Sequence, residues 1–358
     1  MKELTTGKEA QLIIGVDLGD RLSEVCVMDA SGEVRARTKL KTTAAGFEKF
    51  FRPMVPARIA LEVGTHSPWV SRLLKSWGHE VLVANARKVR LIYQSTSKSD
   101  RMDAEALARL ARLDPKLLSP ISHRSGERQR HLALLRARDA LVRARSLLVN
   151  HVRGAVKAMG GRLPACSTAA FGTKAELHLP ETMKMALEPL LKVVETLTEQ
   201  IEEAERGIGQ VARKHYPEVV VVTQPTGVGL LTGLRFVLTL EEPRRFRRNR
   251  SVGAYLGLTP RRSQSGDQDR QMRITKAGDS DLRRSLMQCS HYILGPFGPD
   301  SDLRRFGMKL AERGGKSAKK RALVAVARRL AVLMLSLWKT GEVYEPLRQT
   351  QLVAQVPA

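Results

Sequence analysis

Four carboxylates near the front of the chain stand where acidic side chains can bind a metal ion. Asp17 and Glu62 each end a short apolar, strand-like run. Asp100 and Asp103 are three residues apart at the start of a helix-like segment, so they share one face of that helix. Carboxylates gathered at one sheet edge bind hard cations, above all Mg²⁺, and a pair of such ions activates a nucleophile in phosphoryl transfer.

Each of these carboxylates also has a purely structural interpretation. Asp17 starts an Asp-Leu-Gly turn, and Glu62 is explained equally well as a charge at the rim of a sheet. Asp100 is a good helix N-cap, and Asp103 favours the first turn of the same helix. The structural interpretation is favoured for each residue alone, whereas the metal interpretation is favoured for the set in so basic a chain.

A second group of residues that could take part in a reaction is a pair of hydroxyls in a basic segment. Ser263 and Ser265 lie between Pro260 and Gly266. The basic residues around them are Arg261, Arg262, Arg270, Arg273 and Lys276. A serine that attacks a phosphodiester needs cations near the developing charge and a group that takes its proton. The alternative is that the Ser-Gly pair forms only a turn.

Composition points to a polyanionic partner. The 358 residues include 61 Lys and Arg against 36 Asp and Glu, a net charge of +25. Nucleic acid is the first expectation and an anionic membrane the second, although the longest apolar stretch, 330–338, is too short to span a bilayer. Only 4% of residues are aromatic, so we expect contacts to phosphates rather than stacking on many bases.

The same composition excludes several other classes of protein. A hydrophobic content of 42% rules out general disorder. Cys26, Cys166 and Cys289 are far apart, which excludes a disulfide scaffold and a cysteine zinc site and fits a reducing cytoplasm. Residues 1–5 have no apolar core, so no signal peptide is expected.

The first third of the chain alternates strand and helix patterns. Strand-like runs cover 11–17, 24–29, 34–40, 58–62 and 80–84, and helix-like segments cover 44–51, 68–77 and 100–113. Three leading strands followed by strand–helix repeats predict a mixed sheet with flanking helices. We assign this α/β domain to residues 1–125.

The middle of the chain, 126–215, is predicted to be helical. Residues 127–160 carry leucines spaced by seven, and the next helix carries two heptad rows. The spaced leucines are Leu134, Leu141 and Leu148, and the rows are Leu187, Val194, Ile201 and Ile208, then Leu190, Leu197, Ala204 and Val211. Four heptads indicate a coiled-coil seam, and a long helix in a bundle is the alternative. Pro189 predicts a helix start or a kink.

Residues 216–358 are predicted to be mostly α-helical. The turn Pro225–Gly229 resembles a helix-hairpin-helix turn, in which the N–H groups of Gly227 and Gly229 hold a DNA phosphate. The polar segment 260–278 is expected to be a loop or a hairpin. Further helices are expected at 251–258, 279–294 and 316–338.

These motifs, in this order, resemble the DEDD transposases of bacterial insertion sequences, which are now described as bridge-RNA-guided recombinases. The resemblance begins with Gly-Val-Asp17, Leu-Glu62-Val-Gly and Lys-Ser-Asp100-Arg-Met-Asp103-Ala. It continues through the helical middle, the turn at 225–229, Gly-Leu-Thr-Pro260, Ser265-Gly and Arg-Ile-Thr-Lys276-Ala-Gly-Asp. It covers nearly the whole chain, and the order of the motifs is more specific than any single motif.

The resemblance implies a fold and a reaction. It implies an RNase H-like, resolvase-type N-terminal domain, a central dimerising coiled coil and a C-terminal transposase domain. Asp17, Glu62, Asp100 and Asp103 would hold Mg²⁺, and Ser265, with Ser263 as the second choice, would form a covalent serine–DNA intermediate. The implied partners are donor and target double-stranded DNA, a noncoding guide RNA and further copies of the chain, as a dimer or tetramer. No membrane partner is implied, and the location would be the bacterial cytoplasm, at the nucleoid.

Two other functions remain compatible with the residues. One is a structure-specific nuclease, similar to a junction resolvase, in which water attacks and Ser265 only binds phosphate. The other is a nucleic-acid-binding protein without enzymatic activity. The sequence also departs from the family pattern at one position, because Gln264 separates two serines that are adjacent in many relatives.

Overall fold

The computed structural model describes residues 12–86, 100–265 and 268–348. The chain forms two compact units, residues 1–126 and 127–358. The division of the second unit into 126–215 and 216–358 stays a prediction.

The first unit is built on one mixed five-stranded sheet. Its strands are β1 (Ile13–Asp17), β2 (Leu22–Met28), β3 (Val34–Lys41), β4 (Arg58–Glu62) and β5 (Glu80–Ala84). The order across the sheet is β3-β2-β1-β4-β5. The first three strands pair antiparallel, while β4 pairs parallel with both β1 and β5. The meander followed by strand–helix repeats is therefore present, and the sheet is consistent with the RNase H-like fold.

Helices cover both faces of this sheet. They are α1 (Ala44–Phe51), α2 (Ser67–Ser76) and α3 (Asp100–Leu113), and a 3-10 turn follows at Pro115–Leu118. Side chains alternate between the faces of a strand. Ile14 and Val16 of β1 pack with α1 and α2, whereas Ile13 packs with α3. Asp17 therefore belongs to the face that α3 covers.

The second unit begins with two long antiparallel helices. They are α4 (Gly126–Ala158) and α6 (Glu181–His215), with the short α5 (Phe171–Glu176) between them. Two cross-helix contacts define the direction: Arg138 bonds Glu205, and Arg145 donates to Thr198 at 3.1 Å. From the first contact to the second, the residue number rises by seven in α4 and falls by seven in α6, so the two helices run in opposite directions.

The packing of this helix pair differs in part from the predicted heptads. The first predicted row of α6, beginning at Leu187, is buried along its length. The second row is shifted by one residue at its two ends, because Leu191 and Ala212 are buried while Leu190 and Val211 are only partly so. In α4, Leu134 is 44% exposed while Leu135 is fully buried. The position of the buried stripe is set by the partner helix of the same chain, and a heptad count along one helix does not reveal where that partner lies. A coiled coil between chains stays a prediction.

Pro189 does not mark the start of its helix. α6 begins eight residues earlier at Glu181, and Pro189 lies inside it on an exposed side. A proline removes only one helical hydrogen bond, and the carbonyl freed at Met185 lies on a residue that is 93% exposed. Water can satisfy that carbonyl, so the helix continues through the proline.

The rest of the second unit is a helical bundle with one hairpin. Its helices are α7 (Val219–Val222), α8 (Leu230–Leu240), α9 (Ser251–Tyr255), α10 (Ser280–Leu294), α11 (Asp302–Ala311) and α12 (Gly315–Thr340), and its strands are β6 (Pro260–Ser265) and β7 (Gln268–Ile274). Leu330, Met334 and Leu335 of α12 are fully buried in the largest core. No helix within the described residues is long and apolar enough to cross a membrane.

Candidate active site

Asp17 and Glu62 are neighbours at one edge of the sheet. The parallel register pairs Val16 with Leu61, and the two carboxylates follow these residues at the ends of β1 and β4. Glu62 has the same strand parity as Ala60, which packs in the cluster that includes α3. Both carboxylates therefore lie at the same edge and belong to the same face of the sheet.

Helix α3 approaches this face at backbone contact. A Cβ atom on Gly15 would lie 1.8 Å from the carbonyl oxygen of Ala104 and 2.7 Å from the amide nitrogen of Ala108. Real Cβ atoms do not make such contacts, so only glycine at position 15 allows α3 to lie this close to β1. The contact is two residues before Asp17, and it brings the start of α3 close to that carboxylate.

The direction of α3 brings its acidic end toward the carboxyl ends of the strands. Arg112, near the end of α3, donates to Ala30 O at 3.3 Å in the β2–β3 turn. That turn lies beside Ile13, at the opposite end of β1 from Asp17. The helix therefore runs antiparallel to β1, and its first turn lies toward the edge that carries the two strand carboxylates.

Asp103 belongs to the inward face of that first turn. Asp103 precedes Leu107 by four residues, and Leu107 packs with Ile13 in the cluster between helix and sheet. Asp100 precedes Ala104 by the same spacing and begins α3, but its side chain lies outside the described residues. The structure thus brings the ends of β1 and β4 and the start of α3 together, while the assignment of all four carboxylates as ligands stays a prediction.

The donor set fits Mg²⁺ in its chemistry. Among the side chains that the structure describes, no group of three His, Cys, Asp or Glu residues is close enough to share one metal ion. Mg²⁺ is commonly held by one or two carboxylates together with substrate phosphates and water, so a complete protein cage is not required. Carboxylates from two parallel strand ends meet this need.

A fifth acidic residue on α3, Glu105, is already used in an ion pair. Its carboxylate bonds the guanidinium of Arg37 and also accepts from Arg109 at 2.7 Å. The hydrogen bond from Arg37 lowers the pKa of Glu105, with Arg109 adding to the effect. A carboxylate held between two arginines is a structural contact, so Glu105 is not a candidate metal ligand.

The loop after Glu62 contains polar contacts that the sequence did not predict. His66 accepts a hydrogen bond at Nδ1 from Trp69 at 3.1 Å, and its Nε2 lies 3.5 Å from a carboxylate oxygen of Asp20. The buried Ser67 hydroxyl lies 2.8 Å from His123 Nε2. These contacts join the loop after β1 and the end of the first unit to the loop after β4. In the sequence, only the nearness of Asp20, His66 and Ser67 to Asp17 or Glu62 indicates such a role.

The serine segment is a two-stranded antiparallel hairpin. Ser263 pairs with Arg270 and Ser265 pairs with Gln268, so both serines are on β6 and Ser265 is its last residue. Of the predicted phosphate-binding residues here, Arg261, Arg273 and Lys276 are exposed. The side chains of Ser263, Ser265, Arg262 and Arg270 lie outside the described residues.

The base of this hairpin is closely packed. Gly257 has a φ of +67°, and a Cβ atom there would lie 2.2 Å from the backbone nitrogen of Ala277. Arg283 of α10 donates to Leu256 O at 3.0 Å and to Ala277 O at 2.7 Å. One guanidinium therefore joins the segment that enters β6 to the segment that leaves β7. Nothing in the local sequence distinguishes Arg283 from the other arginines of this basic region.

The turn at 225–229 connects two helices, as its sequence indicates. Val228 donates to Pro225 O at 3.0 Å, and the buried Val228 side chain anchors the turn. Gly227 has a φ of +90°, and Gly229 is the N-cap of α8. Whether the N–H groups of these glycines bind a phosphate stays a prediction.

Comparison with known proteins identifies the class. A family model described as "Transposase", for DEDD enzymes of the IS110 type, matches residues 14–160. A second model, "Transposase IS116/IS110/IS902 family", matches residues 221–300. The first match contains the four carboxylates and the second contains the 225–229 turn and the serine hairpin.

Curated relatives are similar over most of their length. The "Probable family 20 transposase" of Pseudomonas aeruginosa is 29% identical, over 93% of this chain and 98% of the relative. The "Transposase for insertion sequence element IS1111A" of Coxiella burnetii is 27% identical, over 93% and 91%. The "Transposase for insertion sequence element IS1328" of Yersinia enterocolitica is 29% identical, over 79% and 84%.

These matches define the class as transposases, enzymes that cleave and rejoin DNA. Within that class, the chain belongs to the IS110 family of insertion-sequence transposases.

Proposed function

We propose that this transposase is a Mg²⁺-dependent DNA recombinase that forms a transient ester between Ser265 and DNA. Asp17, Glu62, Asp100 and Asp103 hold the metal. The observation that supports this most strongly is that the ends of β1 and β4 and the acidic start of α3 meet at one edge and one face of the sheet. DEDD transposases typically use a divalent metal ion, which is consistent with this arrangement.

The proposed chemistry is two successive phosphoryl transfers. In the first, the Ser265 hydroxyl oxygen attacks phosphorus, an Oγ–P bond forms, and one P–O bond to the DNA strand breaks. The serine proton passes to a nearby base, and the leaving oxygen takes up a proton. In the second, a DNA hydroxyl attacks the serine ester, a strand is rejoined, and the free serine returns.

The protein side chains supply charge and position for these steps. Arg270 and Arg273 neutralise the negative charge that develops on the phosphoryl group. When bound, Mg²⁺ supplies a Lewis acid that polarises the phosphate and favours ionisation of the attacking hydroxyl. Arg261, Arg262 and Lys276, with Gly227 and Gly229, bind neighbouring phosphates without reading sequence.

We propose that carboxylates and serine from different copies of the chain form one site. The helix pair α4–α6 provides the contact between copies in a dimer or tetramer. The exposed apolar side chains along this pair support this, since Leu134, Leu147 and Val193 are all more than 40% exposed. Exposed apolar side chains on a helix pair suit helix–helix association.

We further propose that a noncoding guide RNA selects donor and target DNA. The charge of +25 suits a protein that binds two polyanions. The test is to purify the chain from cells that carry its insertion sequence and to sequence the RNA that is bound. A single structured RNA encoded beside the gene supports guided recombination, and random cellular RNA contradicts it.

The serine intermediate has its own test against the two alternatives. A denaturation-resistant protein–DNA adduct that is absent in Ser265→Ala and in Ser263→Ala/Ser265→Ala supports the proposal. Cleavage without any adduct supports the resolvase-like nuclease. A nucleic-acid-binding protein without enzymatic activity predicts that Asp17→Ala and Asp100→Ala leave every activity unchanged and that the wild type cleaves no DNA.

A further inference from the structure

The most concentrated positive charge outside the proposed site lies on a short turn before the serine hairpin. We call residues 244–250 the arginine turn. All five of its arginines are exposed, namely Arg244, Arg245, Arg247, Arg248 and Arg250. In the part of the chain that the structure describes, none of them is within 4.0 Å of a carboxylate oxygen. Their charge is therefore available to an outside anion.

The arginine turn is held firmly on the fold, unlike a basic tail. Phe246, in the middle of the turn, is 7% exposed and belongs to the main core. The Lys339 ammonium of α12 donates to Phe246 O and, at 2.9 Å, to Asn249 Oδ1. At the start of the turn, the Glu242 carboxylate accepts from the backbone N–H of Arg244 at 3.0 Å. Anchored backbone lowers the entropy cost of holding the exposed guanidiniums on a ligand.

The arginine turn and the serine hairpin share one support. The turn leads directly into α9, whose Tyr255 packs edge-on against Phe246 at 5.4 Å between ring centroids. Arg245 lies over the rings of both residues, at 5.3 and 4.8 Å. Five residues after Tyr255 the chain enters β6 at Pro260. A Cβ atom on Gly278, just after β7, would lie 2.2 Å from Tyr255 O, so the base of the hairpin and the arginine turn both pack on Tyr255.

The residue types favour a duplex over a single strand. Proteins that bind single-stranded nucleic acid combine basic grooves with exposed aromatic side chains on which bases stack. Here Phe246 is buried, and Tyr255 is covered by Arg245. Guanidiniums without an exposed aromatic partner suit the phosphates of a stacked helix, which they contact in pairs of hydrogen bonds.

We propose that the arginine turn binds the phosphate backbone of double-stranded DNA next to the strand that the serine hairpin cleaves. This rests on the proposed function, because it takes DNA at Ser265 as given. In this proposal Arg244, Arg247 and Arg248 contact phosphates. The guanidinium of Arg245 stacks on the ring of Tyr255 and holds the turn in place.

The test is the salt dependence of DNA binding by the full chain. Each phosphate contact contributes about 0.9 to the slope of log K against log salt concentration. Arg244→Gln/Arg247→Gln/Arg248→Gln should lower the slope for a duplex of arbitrary sequence by about 2 to 3. The matched control is Arg206→Gln/Arg213→Gln/Lys214→Gln, which removes the same charge from exposed positions of α6 and should leave the slope unchanged.

A second variant tests the anchoring. Lys339→Gln removes both bonds to the turn and one charge, so it should weaken duplex binding more than Arg213→Gln does, with a normal unfolding midpoint. Equal slopes for the wild type and the triple arginine variant overturn the inference, as does a slope that falls equally in the α6 control.

The outcomes separate this inference from the proposed function. The slope is measured again in Ser265→Ala, where no ester forms, and the loss caused by the arginine substitutions should be the same. If the wild type binds duplex DNA and the turn variant binds with an unchanged slope, only this inference fails. If the wild type binds no duplex at any salt concentration, the proposed function fails as well. If the triple arginine variant has a lower slope only with RNA duplexes, the proposal that the turn binds DNA is contradicted.

Discussion

Gly15 and Ala104 are in backbone contact between the central strand and the acidic helix, since a Cβ atom on Gly15 would lie 1.8 Å from the Ala104 carbonyl oxygen. This contact sets the separation between β1 and α3, two residues from Asp17 and one residue from Asp103. The spacing of the proposed metal ligands therefore depends on a residue that has no functional group.

Gly15→Ala should separate α3 from β1 and disrupt metal binding. We expect a loss of about 1 to 3 kcal/mol in the free energy of unfolding, typical of overpacking. We also expect at least about a tenfold loss of Mg²⁺-dependent strand cleavage, since each 1.4 kcal/mol corresponds to tenfold. Denaturant unfolding and Mg²⁺ titration of cleavage measure the two effects.

The control for this prediction is Gly154→Ala in α4. No heavy atom lies within 4 Å of a Cβ atom at that position. Alanine is the better helix former, so the control should be neutral or more stable by up to about 1 kcal/mol. Unchanged cleavage in Gly15→Ala would show that the α3–β1 contact does not position the ligands.

Arg283→Lys should impair the serine step more than it impairs DNA binding. Both bonds come from one guanidinium nitrogen, Nη1, and the shorter lysine side chain keeps the charge but does not place its ammonium at that point between Leu256 O and Ala277 O. We expect about a tenfold slower appearance of the protein–DNA adduct with duplex affinity within about twofold, if the lost positioning is worth about one hydrogen bond.

The neighbouring Arg284→Lys serves as control for this variant. Arg284 is 53% exposed and pairs with Asp281 across one turn of α10, a contact of small value. Its adduct should form at the wild-type rate. If both variants behave alike, Arg283 has no special role at the hairpin.

Two adjacent leucines of α4 should have opposite effects. Leu135 is fully buried, so Leu135→Ala should cost about 2 to 5 kcal/mol of unfolding free energy. Leu134 is 44% exposed, so Leu134→Glu should leave the stability of one chain within about 0.5 kcal/mol. If α4 and α6 mediate assembly, Leu134→Glu should reduce the mass of the oligomer measured by light scattering. An unchanged mass would exclude this face from the interface.

The first unit should become less stable as the pH falls below neutrality. Burial lowers the pKa of His123 below its usual 6.5, and the nearby Arg72 and Lys75 lower it further. A histidine whose pKa is lower in the folded state binds its proton more readily when unfolded. Its contribution to stability is therefore complete above pH 6.5 and is lost as the pH falls through the folded pKa.

His123→Gln provides the measurement of this effect. Gln keeps a polar partner for the Ser67 hydroxyl but does not titrate. The unfolding free energy of the variant should change less than that of the wild type between pH 7.5 and about pH 5. Parallel pH profiles would show that His123 makes no such contribution. His131, whose pKa is also lowered by burial, is unchanged in both proteins.

Strand and helix patterns predicted most elements because periodicity reports which side of an element is buried. The five strands, the acidic helix and both amphipathic helices near the end lie close to their predicted positions. Placing Asp17 and Glu62 at the ends of their strands needed only the local sequence. That they share one face depends on the parallel register of β1 and β4, which the local sequence does not contain.

Other features depend on contacts between distant segments, which local patterns do not contain. The buried row of α6 follows α4, so Leu191 replaced Leu190 in the seam. Arg283 joins the two ends of the hairpin because it donates to two carbonyls that lie 27 and 6 residues away in sequence. Nothing in the local sequence marks Gly15 as special, because its role comes from the backbone contact with α3.

The most direct test of the central claim is mass spectrometry of the protein after reaction with duplex DNA, guide RNA and Mg²⁺, followed by denaturation and digestion. A nucleotide attached to the peptide that contains Ser265 is the predicted result, with no attachment when Asp17 is replaced by Ala or when EDTA is present. DNA strands that are cut and rejoined while this peptide stays unmodified at every time point would contradict the account.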